Sequence, residues 1–189
     1  MLALWENGYR HITNSKHPIN VPGDLKGIKL RVPEGKWRVK MFQAYGANPS
    51  PMKFSEVFTA LQTGVMDGQE NPYAQIASAK FYEVQKYLSI TGHVYTPAYL
   101  VAGTKKWPSL PAEVRKTLED TAKETQAFVY DKAAKDDEDL LAKMRAGGIS
   151  VNTANKDAFI AASRPVYDDY AKEVPSAREV IERAIALGK

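Results

Sequence analysis

Apolar and polar residues alternate along Ile28-Lys29-Leu30-Arg31-Val32, the period-two pattern of a half-buried strand, and Pro33 stops it. Just upstream, residues 14–27 crowd Asn, Ser, Pro, Gly and Asp together and read as a loop or bend. A helix is predicted over 36–45 with Gly46 as its stop, and residues 47–52, which hold two prolines, read as extended. Ser55 has the character of an N-cap for a helix over 56–63 that Gly64 closes. Val65-Met66-Asp67 is a candidate short strand. Asn71-Pro72 reads as an N-cap followed by proline at the first helical position, opening a helix toward Phe81. Strand-like runs recur at 87–90 and 98–102. Strands alternating with helices predict an α/β sheet with short crossovers.

Residues 112–146 behave differently. They contain neither Gly nor Pro and are rich in Glu, Lys, Asp and Ala, with Leu118, Phe128, Leu140, Leu141 and Met144 among them. One unbroken helix is predicted there, ended by Gly147-Gly148 and roughly 50 Å long at about 1.5 Å per residue. That exceeds the width of a small domain, so the helix is expected to lie across two lobes. A strand over 149–152 and helices over 157–173 and 177–187 close the chain. There is no internal repeat and no low-complexity tract.

Composition narrows the classes. A chain of 189 residues is one domain or two small ones, and 44% hydrophobic with 25% charged residues belongs to a globular protein rather than a disordered one. No stretch approaches the roughly 18 apolar residues of a membrane span, and residues 1–10 lack the basic start and apolar core of an export signal. The net charge of +4 suits a small organic anion and is thin for nucleic acid, because the basic residues are spread along the chain. Absence of cysteine excludes disulfides, thiolate metal sites and a thiol nucleophile. Dinucleotide and phosphate loops, the zinc-protease helix motif and the serine-hydrolase elbow are all missing, so no cofactor is expected. His11 and His17 lie six apart and His93 far away, a spacing that predicts no metal site. Asp67 and Glu70 invite an acid–base reading, but a loop carboxylate pair without a histidine or metal reads first as capping or solvated.

Three stretches carry the most information: Leu30-Arg31-Val32-Pro33, the run from Asn48 to Val57 (Asn-Pro-Ser-Pro-Met-Lys-Phe-Ser-Glu-Val), and the run from Ala60 to Pro72 (Ala-Leu-Gln-Thr-Gly-Val-Met-Asp-Gly-Gln-Glu-Asn-Pro). Together with the run from Ala79 to Leu88, they make the chain resemble the solute-binding proteins of TRAP (tripartite ATP-independent periplasmic) transporters, of the DctP type. The resemblance implies an α/β, periplasmic-binding-protein-like fold of two lobes with a long lobe-spanning helix. It also implies that this chain is the C-terminal portion of a longer receptor, with the N-terminal part of lobe one absent. On that basis residues 9–96 are expected to form lobe two, 97–148 the crossing strand and long helix, and 149–189 the C-terminal strand and helices.

The resemblance also assigns residues. Arg31 matches the family arginine that holds the ligand carboxylate, a task suited to the planar, permanently charged fork of a guanidinium. By pattern alone it is an arginine on an edge strand. Asn71 matches an asparagine that reaches the same carboxylate, and Arg10, in Gly8-Tyr9-Arg10-His11-Ile12-Thr13, falls at the place of a second arginine. Phe54 matches a residue that packs on the ligand, with core packing as its alternative. Trp37 and Glu34 follow the arginine strand at positions that face the cleft in relatives, and Trp37 is equally suited to a helix–sheet core. His93 and Tyr95 fall in a hinge-like crossing segment. The expected protein is a periplasmic receptor that binds a mono- or dicarboxylate, does no chemistry and delivers its ligand to the membrane subunits of a TRAP transporter. The alternatives are a small α/β enzyme acting on a carboxylate through Arg31 with Asp67 or Glu70, or a truncated receptor that folds as a homo-oligomer and binds nothing.

Overall fold

The computed structural model describes residues 1–188. Its frame is one mixed sheet of six strands: β1 (Ala3–Asn14), β2 (Lys29–Val32), β3 (Asn48–Pro51), β4 (Gly68–Asn71), β5 (Tyr87–Leu100) and β6 (Ser150–Thr153). Their spatial order is β3-β2-β4-β1-β5-β6. Strand β2 runs parallel to β3 and β4, and β5 parallel to β6, while β1 is antiparallel to both β4 and β5. One strand out of six therefore opposes the rest, and the carboxyl ends of β2, β3 and β4 share one edge.

Helices cover both faces. Helices α1 (Lys36–Ala44) and α5 (Lys156–Glu173) close a core of Ile12, Leu30, Val32, Phe42, Tyr45 and Phe159. The other face carries α2 (Val57–Gln62), α3 (Tyr73–Ser78) and the end of α4 (Ala112–Ala146), over Val57, Leu61, Ile76, Phe81, Leu88 and Met144. Helix α6 (Ala177–Leu187) rests on α5 and buries none of its residues. The long helix spans the residues its unbroken pattern predicts, but only Ala122 and Met144 along it are buried. No helix among the described residues is long and apolar enough to cross a membrane.

Several local expectations are corrected. Val65-Met66-Asp67 is not a strand. The strand is the four residues that follow it, Gly68-Gln69-Glu70-Asn71, which are polar or glycine and all buried. Gly68 is required there, because a Cβ at its position would stand 2.4 Å from the Thr13 carbonyl oxygen across the β1–β4 contact. Asn71 ends β4 rather than capping a helix, and Pro72 takes the N-cap position of α3. Ser55 lies within a 3-10 turn, Phe54–Glu56, and makes no side-chain cap. The runs 87–90 and 98–102 belong to one strand, β5, and residues 3–14 form a twelve-residue strand that the hydrophobic pattern does not announce.

Strands β1 and β5 pair along most of their length, with an irregularity between Arg10 and Ile12. Arg10 faces Val94 and Ile12 faces Ser89, so β5 carries extra residues there, among them Gly92 in the left-handed region at φ +53°. Beyond this bulge the two strands leave the sheet as a ribbon, past the carboxyl edge of β2, β3 and β4. The indole Nε1 of Trp5 ties that ribbon to α4 by donating to the Ala122 carbonyl at 3.3 Å.

Candidate functional site at the carboxyl edge

Ligands of α/β sheets sit where parallel strands end, and the charged side chains converge there. Arg31, at the penultimate position of β2, is only 3% exposed. Its Nε and Nη2 both donate to the Met52 carbonyl, at 2.9 and 2.6 Å. That grip leaves Nη1 buried with no partner among the described residues. An unpaired buried donor costs about 1–3 kcal/mol, and more when charged, so this atom has the environment of a group awaiting an acceptor. Burial pulls the Arg31 guanidinium below its ordinary pKa, Glu70 opposes the fall, and Arg10 and Arg38 add to it.

Glu70, on β4, is sealed from solvent. Its Oε2 accepts from Arg10 Nε at 2.6 Å, Arg38 Nη1 at 3.0 Å and His93 Nε2 at 3.0 Å, and its Oε1 accepts from Arg10 Nη2 at 3.0 Å. Burial by itself would raise this carboxyl. The hydrogen bonds from His93 and Arg10, with the charge of Arg10, outweigh it and hold Glu70 at about 2. Burial pushes His93 below its ordinary value. The neutral ring then donates from Nε2 to Glu70 and accepts at Nδ1 from the Thr91 hydroxyl, 2.7 Å away. His11 is likewise held neutral, at about 3, chiefly by burial; it accepts from the Gly92 amide and stacks on Tyr73. Three guanidiniums thus face one carboxylate, which leaves a surplus of two positive charges around the edge.

Asn71 is fixed by a row of hydrogen bonds. Arg10 Nη2 donates to its Oδ1 at 3.0 Å, and its Nδ2 donates to Gln69 Oε1 at 2.6 Å. Gln69 Nε2 donates to Thr13 Oγ1 at 2.9 Å, and the Thr13 hydroxyl donates to Gln85 Oε1 at 3.1 Å. All five residues are buried.

Arg31, Asn71 and Arg10 therefore meet at one edge, as the sequence motifs imply. Arg10 is largely committed to Glu70 and Asn71, so Arg31 carries the free donor. The other expected residues lie differently. Phe54 is exposed and packs its ring on Phe81 at 5.6 Å. Glu34 is exposed and joins no ion pair among the described residues. Trp37 turns toward α5, where it meets Tyr170 edge-on at 4.9 Å. Tyr95 donates to Glu6 Oε2 at 3.0 Å, on the ribbon. Sequence reasoning missed Arg38, and it read Glu70 as capping or solvated. The available signal was that Glu70 stands in an all-polar run directly before Asn71-Pro72. Asp67 is also occupied: its Oδ2 accepts the Lys29 amide at 2.9 Å and its Oδ1 pairs with Lys16 at 3.2 Å.

The chain as a whole is similar to known proteins. The chain is 38% identical over 184 residues to the 2,3-diketo-L-gulonate-binding periplasmic protein of Escherichia coli, a match that covers 96% of this chain and 56% of that protein. It is 34% identical, with a TM-score of 0.91, to a TRAP periplasmic solute-binding protein of Roseobacter denitrificans crystallised with β-D-glucuronate, covering 96% of this chain and 60% of that one. A third, from a Polaromonas species with bound D-erythronate, is 40% identical with a TM-score of 0.87, over 94% and 59% of the two chains. The chain spans little more than half the length of the relatives it matches. With residues 1–173 matching the family's description, the chain belongs to the bacterial extracellular solute-binding proteins of family 7, the DctP family.

Proposed function

We propose that this chain carries the acid-gripping lobe of a periplasmic receptor that binds a small organic acid, a sugar acid, and hands it to the membrane subunits of a TRAP transporter. The observation that carries this reading is the buried, unpartnered Nη1 of Arg31. It stands at the sheet's carboxyl edge among a surplus of positive charge, and a ligand carboxylate supplies both the missing acceptor and the missing anion. Asn71 lies at the same edge, held in orientation by Arg10 and Gln69. The ligands named for the three relatives are all hydroxylated or keto sugar acids. On this reading residues 9–96 form the gripping lobe, 97–148 the crossing segment and 149–189 the closing part, of which residue 189 lies outside the described residues. The receptor does no chemistry: Asp67 and Glu70 are both tied into ion pairs and hydrogen bonds, so neither is free to move a proton.

Calorimetry with D-glucuronate tests this. Arg31→Gln should cost about 2–5 kcal/mol of affinity, the range for truncating one partner of a buried charge pair. Unchanged affinity in that variant would remove Arg31 from the site. The ribbon favours a second reading, self-association, because beyond the bulge β1 and β5 pair only with each other and both outer edges are open. Sizing chromatography that shows a monomer at micromolar concentration would dismiss it.

A further inference from the structure

We propose that the cleft between α1, α5 and α6 is a second binding site, adjoining the Arg31 edge through Arg38 and the carboxylate of Glu70 that it shares, and that it takes a flat aromatic carboxylate. The cleft holds about 300 Å³, at the lower end of small-molecule sites. Three aromatic side chains wall it, Trp37 from α1 and Tyr167 and Tyr170 from α5, with Val94 and Ile181 among the aliphatic lining. Trp37 stands at 80° to Tyr170, so the wall carries rings in two orientations, and a planar ligand gains from stacking on one or meeting another edge-on. A branched or sugar-like ligand would bring hydroxyls to a wall with few groups to receive them. Besides the tyrosines and the Trp37 indole N–H, the neutral polar group of the lining is the Ser163 hydroxyl, which already bonds Tyr45 and donates to the Phe159 carbonyl.

The charged wall is Arg38. Of its guanidinium nitrogens only Nη1 has a protein acceptor among the described residues, Glu70 Oε2, and Arg10 takes the same oxygen at 2.6 Å. Arg38 therefore has a shared counter-charge and free donors, and a carboxylate at the rim of the aromatic cleft satisfies both. Lys36 and Lys40 also stand over the Trp37 ring, at 5.1 and 5.0 Å. Each is paired with an acid of α5, Glu173 and Asp169, so the acid-binding role falls to Arg38. This inference stands whether or not Arg31 holds an acid.

The test uses 2-naphthoate and its neutral counterpart 2-naphthylmethanol, with the chain as it is. Calorimetry should show one molecule of 2-naphthoate bound, with quenching of indole fluorescence, and the alcohol at least ten-fold weaker. Val166→Phe and Ile181→Phe fill the cleft from two different helices, and each should weaken 2-naphthoate ten-fold or more. Arg31→Gln should leave it within two-fold. The proposal is overturned if 2-naphthoate does not bind, if both filled variants bind it as the unaltered chain does, if acid and alcohol bind alike, or if Arg31→Gln abolishes binding.

Discussion

Strand β1 passes through two environments. From Arg10 to Asn14 every residue is buried, flanked by β4 on one side and β5 on the other; from Leu4 to Asn7 none is, and β5 is the only neighbouring strand. Its partner β5 shows the same division, with Leu88 and Ser89 fully buried and Tyr99 63% exposed. The chemistry differs accordingly. The enclosed half holds Arg10, Thr13 and Asn14, polar groups that low accessibility forces into complete partnerships. The projecting half holds Leu4, Tyr95 and Tyr99, apolar or amphipathic groups left in water. Pairing with a neighbour makes both halves strand, but the enclosed half surrounds its charges with partners, whereas on the ribbon Glu6 takes a hydrogen bond from Tyr95.

The largest expected break of this contrast is Glu70→Gln. It leaves Arg10 buried and Arg38 half-buried without their carboxylate, and urea unfolding should show a loss of about 3–5 kcal/mol. Acid should act in the same direction. His11 stands at about 3 against an ordinary 6.5, so the unfolded chain takes up its proton first and stability falls as pH drops from about 6.5 toward 3. Glu70, at about 2 against 4.5, extends the decline below pH 4.5. A stability curve flat from pH 7 to pH 3 would contradict both assignments. Gly68→Ala forces a methyl against the Thr13 carbonyl and should cost about 1–3 kcal/mol by thermal unfolding. Tyr99→Ser, out on the ribbon, should stay within about 0.5 kcal/mol. A cost above 2 kcal/mol there would mean that the ribbon is covered in solution.

The same contrast explains what the sequence makes legible. Helix α4 could be read to the residue because its signal is a 35-residue run free of breakers, which owes nothing to packing. Strand β2 alternates between a packed face and a charged face, and was equally plain. Strand β4 escaped because its positions are buried yet polar, so hydrophobicity pointed to Val65 and Met66 instead. In β1 the enclosed stretch mixes Arg10, His11, Thr13 and Asn14 with one isoleucine and keeps no period of two. The motifs drew attention to Arg31, Arg10 and Asn71, and the fold brings these three to one edge. What Arg10 and Arg38 share could not be read, because the counter-ion lies some sixty and thirty residues away in the chain, with the separations fixed only by the fold.

The row that ends on Gln85 begins at Arg10, and a guanidinium has no lone pair to offer. Its head can only give protons, so every amide after it must present oxygen upstream and nitrogen downstream. Turning Asn71 over alone would set N–H against N–H on one side and oxygen against oxygen on the other. The far end is pinned as well, because Gln85 Nε2 donates to the Val84 carbonyl at 3.1 Å, so the members are locked as a set, in one sense, from both ends. Asparagine and glutamine side-chain resonances should therefore stay single even when Arg10 is replaced by a residue that can also accept, a signature visible by NMR without any ligand present.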